Sequence, residues 1–101
     1  MNAQTLAALG DPTRQRIVEL LAVADRSAGE LAAEFDVSRP AVSRHLRVLR
    51  DVGLVASRPV AQQRVYTLRP EPLAELADWA TRMRGFWAQR LDALDLELRR
   101  D

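Results

Sequence analysis

The sequence predicts a mainly α domain that contains one small β-hairpin and ends in a long helix. Three observations predict this fold class: apolar residues recur at helical spacing as far as Gly53, β-branched and alternating residues fill 54–68, and one helical pattern occupies about 72–98. With 101 residues, 48% of them hydrophobic, the chain is expected to fold as a single domain covering 1–101.

The first two helices are marked by their boundaries. Leu6 and Leu9 lie on one face of a short helix that is expected at about 2–9 and ends at Gly10. Asp11 and the proline after it are typical of an N-cap followed by proline at the first helical position, so a second helix is expected to begin there.

A pair of short helices joined by a tight turn is predicted next. Ser27 and Glu30 fit the capping-box pattern and open a third helix that reaches about Phe35. Asp36 and Val37 are expected to form the turn, with Val37 filling its inside. Two helices joined in this way predict a helix-turn-helix.

The fourth helix, expected at about 38–52, has two different sides. At 100° per residue, Val42, Leu46 and Leu49 fall together and predict the buried side. The opposite side is polar and rich in arginine. It comprises Pro40, Arg44, Arg47 and Asp51 and is flanked by Ser43.

Alternating residues in 54–68 predict a basic β-hairpin that follows the helix pair directly. We expect a loop of about five residues centred on Ala61, Gln62 and Gln63. Pro59 cannot donate to a ladder hydrogen bond and is therefore expected on an edge strand or at a bulge. A helix-turn-helix followed by such a hairpin predicts a winged helix-turn-helix.

Charge is concentrated in this same part of the chain. Residues 37–69 hold seven arginines and one acid, Asp51, a net charge of +6, whereas the rest of the chain carries −5 and the whole chain only +1. A merely solvated face would carry acids among the arginines. The near absence of acids instead indicates contact with a nucleic acid.

These features predict a surface that binds double-stranded DNA. An α-helix fits the major groove and its N-terminal residues reach base edges, so Arg39 and Arg44 are expected at bases and Arg47 at a phosphate. The hairpin is expected to touch the backbone or the minor groove. The predicted DNA-binding residues are Ser38, Arg39, Pro40, Ala41, Ser43, Arg44, His45, Arg47, Arg50, Arg58, Gln62, Gln63 and Arg64.

The last helix is too long for one subunit to cover. A helix over 72–98 spans about 40 Å, more than the width of a domain of this size, and its apolar stripe predicts an association surface shared with the first helix. An alternative is that the aromatic side chains of this helix line a small-molecule effector pocket. Gly85 is expected to permit either the close approach of another helix or a bend. The predicted dimer-interface residues are Leu6, Leu9, Leu76, Trp79, Met83, Phe86, Trp87, Leu91 and Leu94.

Three stretches of the sequence resemble the ArsR/SmtB-type bacterial repressors. They are the run Leu9–Arg14, the run Ser38–Leu49 with its Ser-x-x-x-x-Ser-x-His-Leu pattern, and Gly53-Leu54-Val55. The resemblance covers nearly the whole chain and is closest to the cysteine-free branch, whose members often repress their own genes. It implies a homodimeric winged-helix repressor of a palindromic operator that dimerises through its first and last helices.

No metal or other cofactor is expected. The chain has no cysteine and one histidine, His45, and a lone imidazole cannot build a metal site without partners. His45 is expected to be packed or bonded to the backbone. The metal-sensing members of the similar family place cysteines on the helix that matches 27–35, or histidines and carboxylates on the last helix; this chain has only carboxylates there.

Other classes of protein fit less well. The N-terminus lacks the features of a signal peptide and no apolar run could span a membrane, so a cytoplasmic protein is expected. The sequence contains no nucleophile paired with a base, no paired carboxylates and no phosphate-binding glycine loop. It therefore does not predict an enzyme. The alternative function is a winged-helix protein-interaction module that docks a partner through its long C-terminal helix.

Overall fold

The computed structural model describes residues 2–99 and has five helices and three strands within them. The fold class is a winged helix-turn-helix, as the sequence predicts. The elements, in chain order, are α1 (Ala3–Ala8), α2 (Pro12–Val23), β1 (Arg26–Ser27), α3 (Ala28–Ala32), α4 (Arg39–Asp51), β2 (Val55–Val60), β3 (Gln63–Leu68) and α5 (Glu71–Leu98).

One hydrophobic core joins α2, α3, α4 and the sheet. Ile17 of α2, Leu31 of α3 and Leu49 of α4 are completely buried in it. Burial of an aliphatic side chain of this size contributes about 1.5–3 kcal/mol, so these contacts fix how the two helices of the helix-turn-helix cross. The predicted buried side of α4 is confirmed by the burial of Val42 and Leu46 as well.

The helix ends follow the capping chemistry of the sequence. Ser38 caps α4 by accepting a hydrogen bond from the backbone N–H of Ala41. Gly53 ends the helix with a φ of 79°, and the N–H of Leu54 then reaches back to the carbonyl of Leu49 at 3.0 Å. This arrangement is a Schellman motif, which only a residue tolerant of positive φ completes without strain.

The sheet contains a strand that the sequence analysis missed. Its order is β1-β3-β2, so β3 lies in the centre and pairs antiparallel with both neighbours. Arg26 pairs with Tyr66 and Ser27 with Val65. A two-residue strand is too short to produce an alternating pattern, and its pairing is therefore visible only in three dimensions.

The hairpin loop is shorter than predicted. Val60 pairs with Gln63, which leaves a two-residue turn where about five residues were expected. Ala61 adopts a φ of 55° in this turn. Two-residue turns are usually signalled by Asn-Gly or Gly in the sequence, and the absence of that signal explains the error. Pro59 lies on the edge strand β2, as predicted.

Two further expectations for the helix-turn-helix were wrong. The third helix ends at Ala32, about one turn earlier than expected. Val37 does not fill the turn, because 47% of it is exposed. Phe35 packs against the core, as the sequence predicts for this residue together with Leu31 and Ala32.

Helix α5 projects away from the core. The described chain measures 72 × 25 × 22 Å, and α5 contains no fully buried residue. Leu73, Leu76 and Trp79 near its start are half-buried, whereas every described side chain from Ala80 onward is exposed. No helix within residues 2–99 is long and apolar enough to cross a membrane.

Glu30 makes the stability of the fold dependent on pH. The backbone N–H and then the side chain of Ser27 lower the pKa of Glu30 below its ordinary value. The Glu30 carboxylate therefore binds a proton more readily in the unfolded chain than in the folded one. The stabilisation is complete above the ordinary carboxyl pKa and is lost as the pH falls through the lowered pKa of Glu30.

Glu30→Gln should therefore melt at a lower temperature than the parent at about pH 6, and the difference should shrink below about pH 4. Thermal unfolding followed by circular dichroism across this range measures it. Glu75→Gln, an exposed change on α5, controls for the loss of one charge. A difference that is constant with pH would contradict this role of the capping box.

Candidate nucleic-acid interface

The outward side of α4 forms a basic concave surface. Since Val42 and Leu46 are buried, the residues opposite them on the helix face solvent. Arg44 and Arg47 are exposed there, and Arg39 is exposed in the first turn of the helix. The concavity is lined by Arg39, Pro40, Ser43, Arg44 and Arg47.

The arginines of this surface are not neutralised by the subunit itself. Four ion pairs between an arginine and a carboxylate occur within the described range, and none of them includes Arg39, Arg44 or Arg47. Arg50 and Arg64 also lie outside these pairs. A guanidinium presents a planar set of donors that matches phosphate oxygens and the edge of guanine. The surface therefore keeps its full charge available for an external anion.

A cleft joins α4 to the hairpin. It brings Arg39 and Ser43 of α4 together with Gln62, Gln63 and Arg64 of the turn and β3. The floor includes Ala28 and Gly29 of α3, together with Ser27 and Tyr66. Helix and hairpin residues that are distant in sequence thus form one continuous polar surface.

The guanidinium of Arg39 lies beside Gly29 at the start of α3. A Cβ built on Gly29 would lie 3.4 Å from the terminal guanidinium nitrogen Nη2 of Arg39, an ordinary van der Waals contact. No local pattern in the sequence marks Gly29, because its proximity to Arg39 depends on how α3 and α4 cross.

The two arginines of the hairpin have different surroundings. Arg64 donates from Nη1 to the hydroxyl of Ser57 at 3.2 Å and belongs to none of the ion pairs within residues 2–99. Arg58 pairs with Asp25 at 3.2 Å. The pKa of Asp25 is lowered, first by a hydrogen bond with the Thr67 side chain and next by one from Arg58. Arg58 is therefore partly neutralised within the subunit, unlike Arg64.

His45 lies on the inner flank of α4 rather than on the basic surface. Its side chain is 23% exposed, and its Nδ1 lies 3.3 Å from Nη1 of Arg14 and 4.0 Å from Oδ1 of Asp11. The pKa of Asp11 is lowered, chiefly because the backbone N–H of Arg14 donates to its carboxylate. Asp11 and Arg14, at the start of α2, thus form the surroundings of His45.

The described part of the chain has no cluster of three or more histidine, cysteine, aspartate or glutamate side chains that could hold a metal ion.

Comparison with known proteins identifies the family. The profile of "Bacterial regulatory protein, arsR family" matches residues 11–57, from the cap of α2 into β2. The HTH-type transcriptional regulator Rv2034 of Mycobacterium tuberculosis is 49% identical over 84 residues, which are 83% of this chain and 76% of that protein. The chain belongs to the ArsR family.

Other relatives agree with this assignment. The transcriptional repressor SdpR of Bacillus subtilis is 33% identical over 72 residues, covering 71% of this ArsR-family chain and 80% of the repressor. The ArsR-like transcriptional regulator from Rhodococcus sp. RHA1 superposes with a TM-score of 0.78 at 38% identity, covering 91% of this chain and 87% of that one. The ArsR-family protein is a DNA-binding transcriptional regulator and not an enzyme.

Arg44→Ala tests the part of this surface that is expected to discriminate sequence. If Arg44 contacts a base, its loss should weaken binding to the preferred duplex by roughly 10- to 100-fold and binding to random duplex much less. Titration of both duplexes by fluorescence anisotropy measures the ratio. Arg47 is expected at a phosphate, so Arg47→Ala should weaken binding to both duplexes similarly. Equal losses of affinity for the two duplexes in Arg44→Ala would show that Arg44 contacts a phosphate and not a base.

Proposed function

We propose that the protein is a homodimeric repressor that binds a palindromic operator, with α4 in the major groove and the hairpin on the adjacent backbone or minor groove. The observation that carries the proposal is the surface of unpaired arginines on α4 that continues into the hairpin cleft. Major-groove reading by a helix whose N-terminal residues face the bases accounts for this arrangement. The DNA-binding residues predicted from the sequence are its proposed contacts, except His45, which lies on the inner flank of α4 against Arg14.

The exposed side of α5 supports a second copy of the chain as its partner. Phe86 is 61% exposed and Trp87 is 58% exposed in the single subunit, and Leu91 and Leu94 continue the stripe along the helix. A soluble monomer rarely leaves such an apolar surface uncovered. An antiparallel pair of α5 helices, flanked by the α1 helices with Leu6 and Leu9, would bury it.

Symmetry links this dimer to the operator. A twofold axis places two α4 helices on one face of the DNA, about one helical turn apart, which requires two half-sites of inverted sequence. Autorepression follows if such a site precedes the protein's own gene. A regulator that acts on chromosomal DNA would work in the cytoplasm.

The alternatives for α5 are less well supported. Met83, Phe86 and Trp87 are exposed on the projecting part of the helix, which favours an association surface over an enclosed effector pocket in one subunit. A protein-interaction module would use the same helix but has no need for the uncompensated arginines of α4.

Selection of bound fragments from the source genome tests the operator proposal. The selected fragments should share an inverted repeat with half-sites about 10 base pairs apart, and their affinity should fall steeply between low and high salt. Fragments with a single, unrepeated site would contradict a symmetric dimer. Recovery of no preferred sequence at all would contradict operator recognition itself.

Trp87→Glu should separate dimer formation from folding. A charge on the apolar stripe should raise the dimer dissociation constant by about tenfold or more, with an unchanged circular dichroism spectrum. Analytical ultracentrifugation measures the change. Gln89→Glu adds the same charge on the opposite side of α5 and should leave the dimer intact; equal effects of the two variants would place the interface elsewhere.

A further inference from the structure

Arg14 connects three helices through one side chain. It belongs to the first turn of α2, and its guanidinium extends back over the end of α1, where Nε donates to the carbonyl of Ala8 at 2.6 Å. A second donor, Nη2, lies 3.5 Å from the carbonyl of Ala7. The third, Nη1, lies 3.3 Å from Nδ1 of His45 on α4. Arg14 thus satisfies carbonyls at the end of α1 while it contacts the middle of α4.

The contact with His45 has a defined direction. A guanidinium has only donors and stays protonated, so Nδ1 of His45 must accept and the ring proton lies on Nε2. The second group near Nδ1 is the Asp11 carboxylate, at 4.0 Å, which is too far for a hydrogen bond. Arg14 is therefore the side chain that fixes this imidazole from α2.

We propose that Arg14 is a positioning residue for operator binding, which holds His45 and through it sets α4 relative to α1. α1 and α4 also form the two walls of one groove, in which Arg14 lies beside Gln4, Ala7, Ala8, Val48, Asp51 and Val52. In the proposed dimer, α1 belongs to the interface and α4 to the DNA surface. Through Arg14, the position of α1 in the dimer interface then determines the position of α4 on the DNA. This inference rests on the proposed function.

The effect on DNA should be indirect. Arg14 is half-buried, and its described contacts occupy the guanidinium from two sides. A residue that neutralises a phosphate lowers the slope of binding against salt when it is removed, by about one unit. A positioning residue instead lowers affinity without changing this slope.

The test uses the full chain and the duplex that the parent selects most tightly from a randomised pool. Arg14→Ala should weaken binding to this duplex about tenfold and leave the salt slope unchanged. Arg14→Lys keeps the charge but cannot hold the Ala8 carbonyl and His45 together, so most of the loss should persist. Arg16→Ala removes the same charge from the same helix, where Arg16 pairs only with Glu19, and should bind as the parent does.

A double variant shows whether Arg14 acts through His45. His45→Leu should weaken binding as well, and Arg14→Ala combined with His45→Leu should be no weaker than the weaker single variant, because residues acting through one contact are not additive. Imidazole ¹⁵N shifts should report the Nε2–H form in the parent and a redistributed ring proton in Arg14→Ala. Circular dichroism at the binding temperature verifies that each variant is folded.

Several outcomes would overturn the inference. Parental affinity in folded Arg14→Lys and Arg14→Ala would remove any role for this contact, and a slope reduced by about one would make Arg14 a phosphate contact. Fully additive losses of affinity in the double variant would show that Arg14 does not act through His45. A parent chain that selects no duplex fails at an earlier step, and that result identifies the proposed function, rather than Arg14, as wrong.

Discussion

Burial of one side of α4 is the constraint on which the rest of the structure depends. Val42, Leu46 and Leu49 are almost completely removed from solvent, and each contributes about 1.5–3 kcal/mol by its burial. Rotation of the helix about its axis would expose them, so the opposite residues, among them Arg44 and Arg47, must face outward. The same packing that stabilises the domain therefore exposes the arginines that we propose as DNA contacts.

The position of the hairpin relative to α4 is fixed by a few contacts of Ser27 at the start of α3. Ser27 is buried, pairs with Val65 of the central strand and also caps α3 in a reciprocal box with Glu30. A single residue thus joins the sheet to the helix-turn-helix. The cleft between Arg39 and Gln63 owes its shape to this junction, which explains how two polar segments that are distant in sequence act as one surface.

The residues proposed to contact DNA and those proposed to contact a second subunit lie in different parts of the molecule. The compact part carries the basic surface, whereas α5 holds six acids against four arginines within 71–99 together with its apolar stripe. Exposed charges of mixed sign attract a polyanion weakly, so we do not expect the projecting helix to compete with α4 for the proposed operator. Within the compact part, the Arg14 side chain contacts both the end of α1 and His45 of α4.

The sequence by itself determined the order of helices and hairpin, the buried side of α4, the caps at Ser38 and Gly53, and the concentration of arginine in 37–69. These follow from residue periodicity and local backbone chemistry, which act within a few neighbours along the chain. The tertiary structure alone decided the pairing of β1 with β3, the two-residue turn at Ala61, the exposure of Val37, and the contact between Arg14 and His45. Each depends on groups brought together by packing across the fold, and no local pattern records such an encounter.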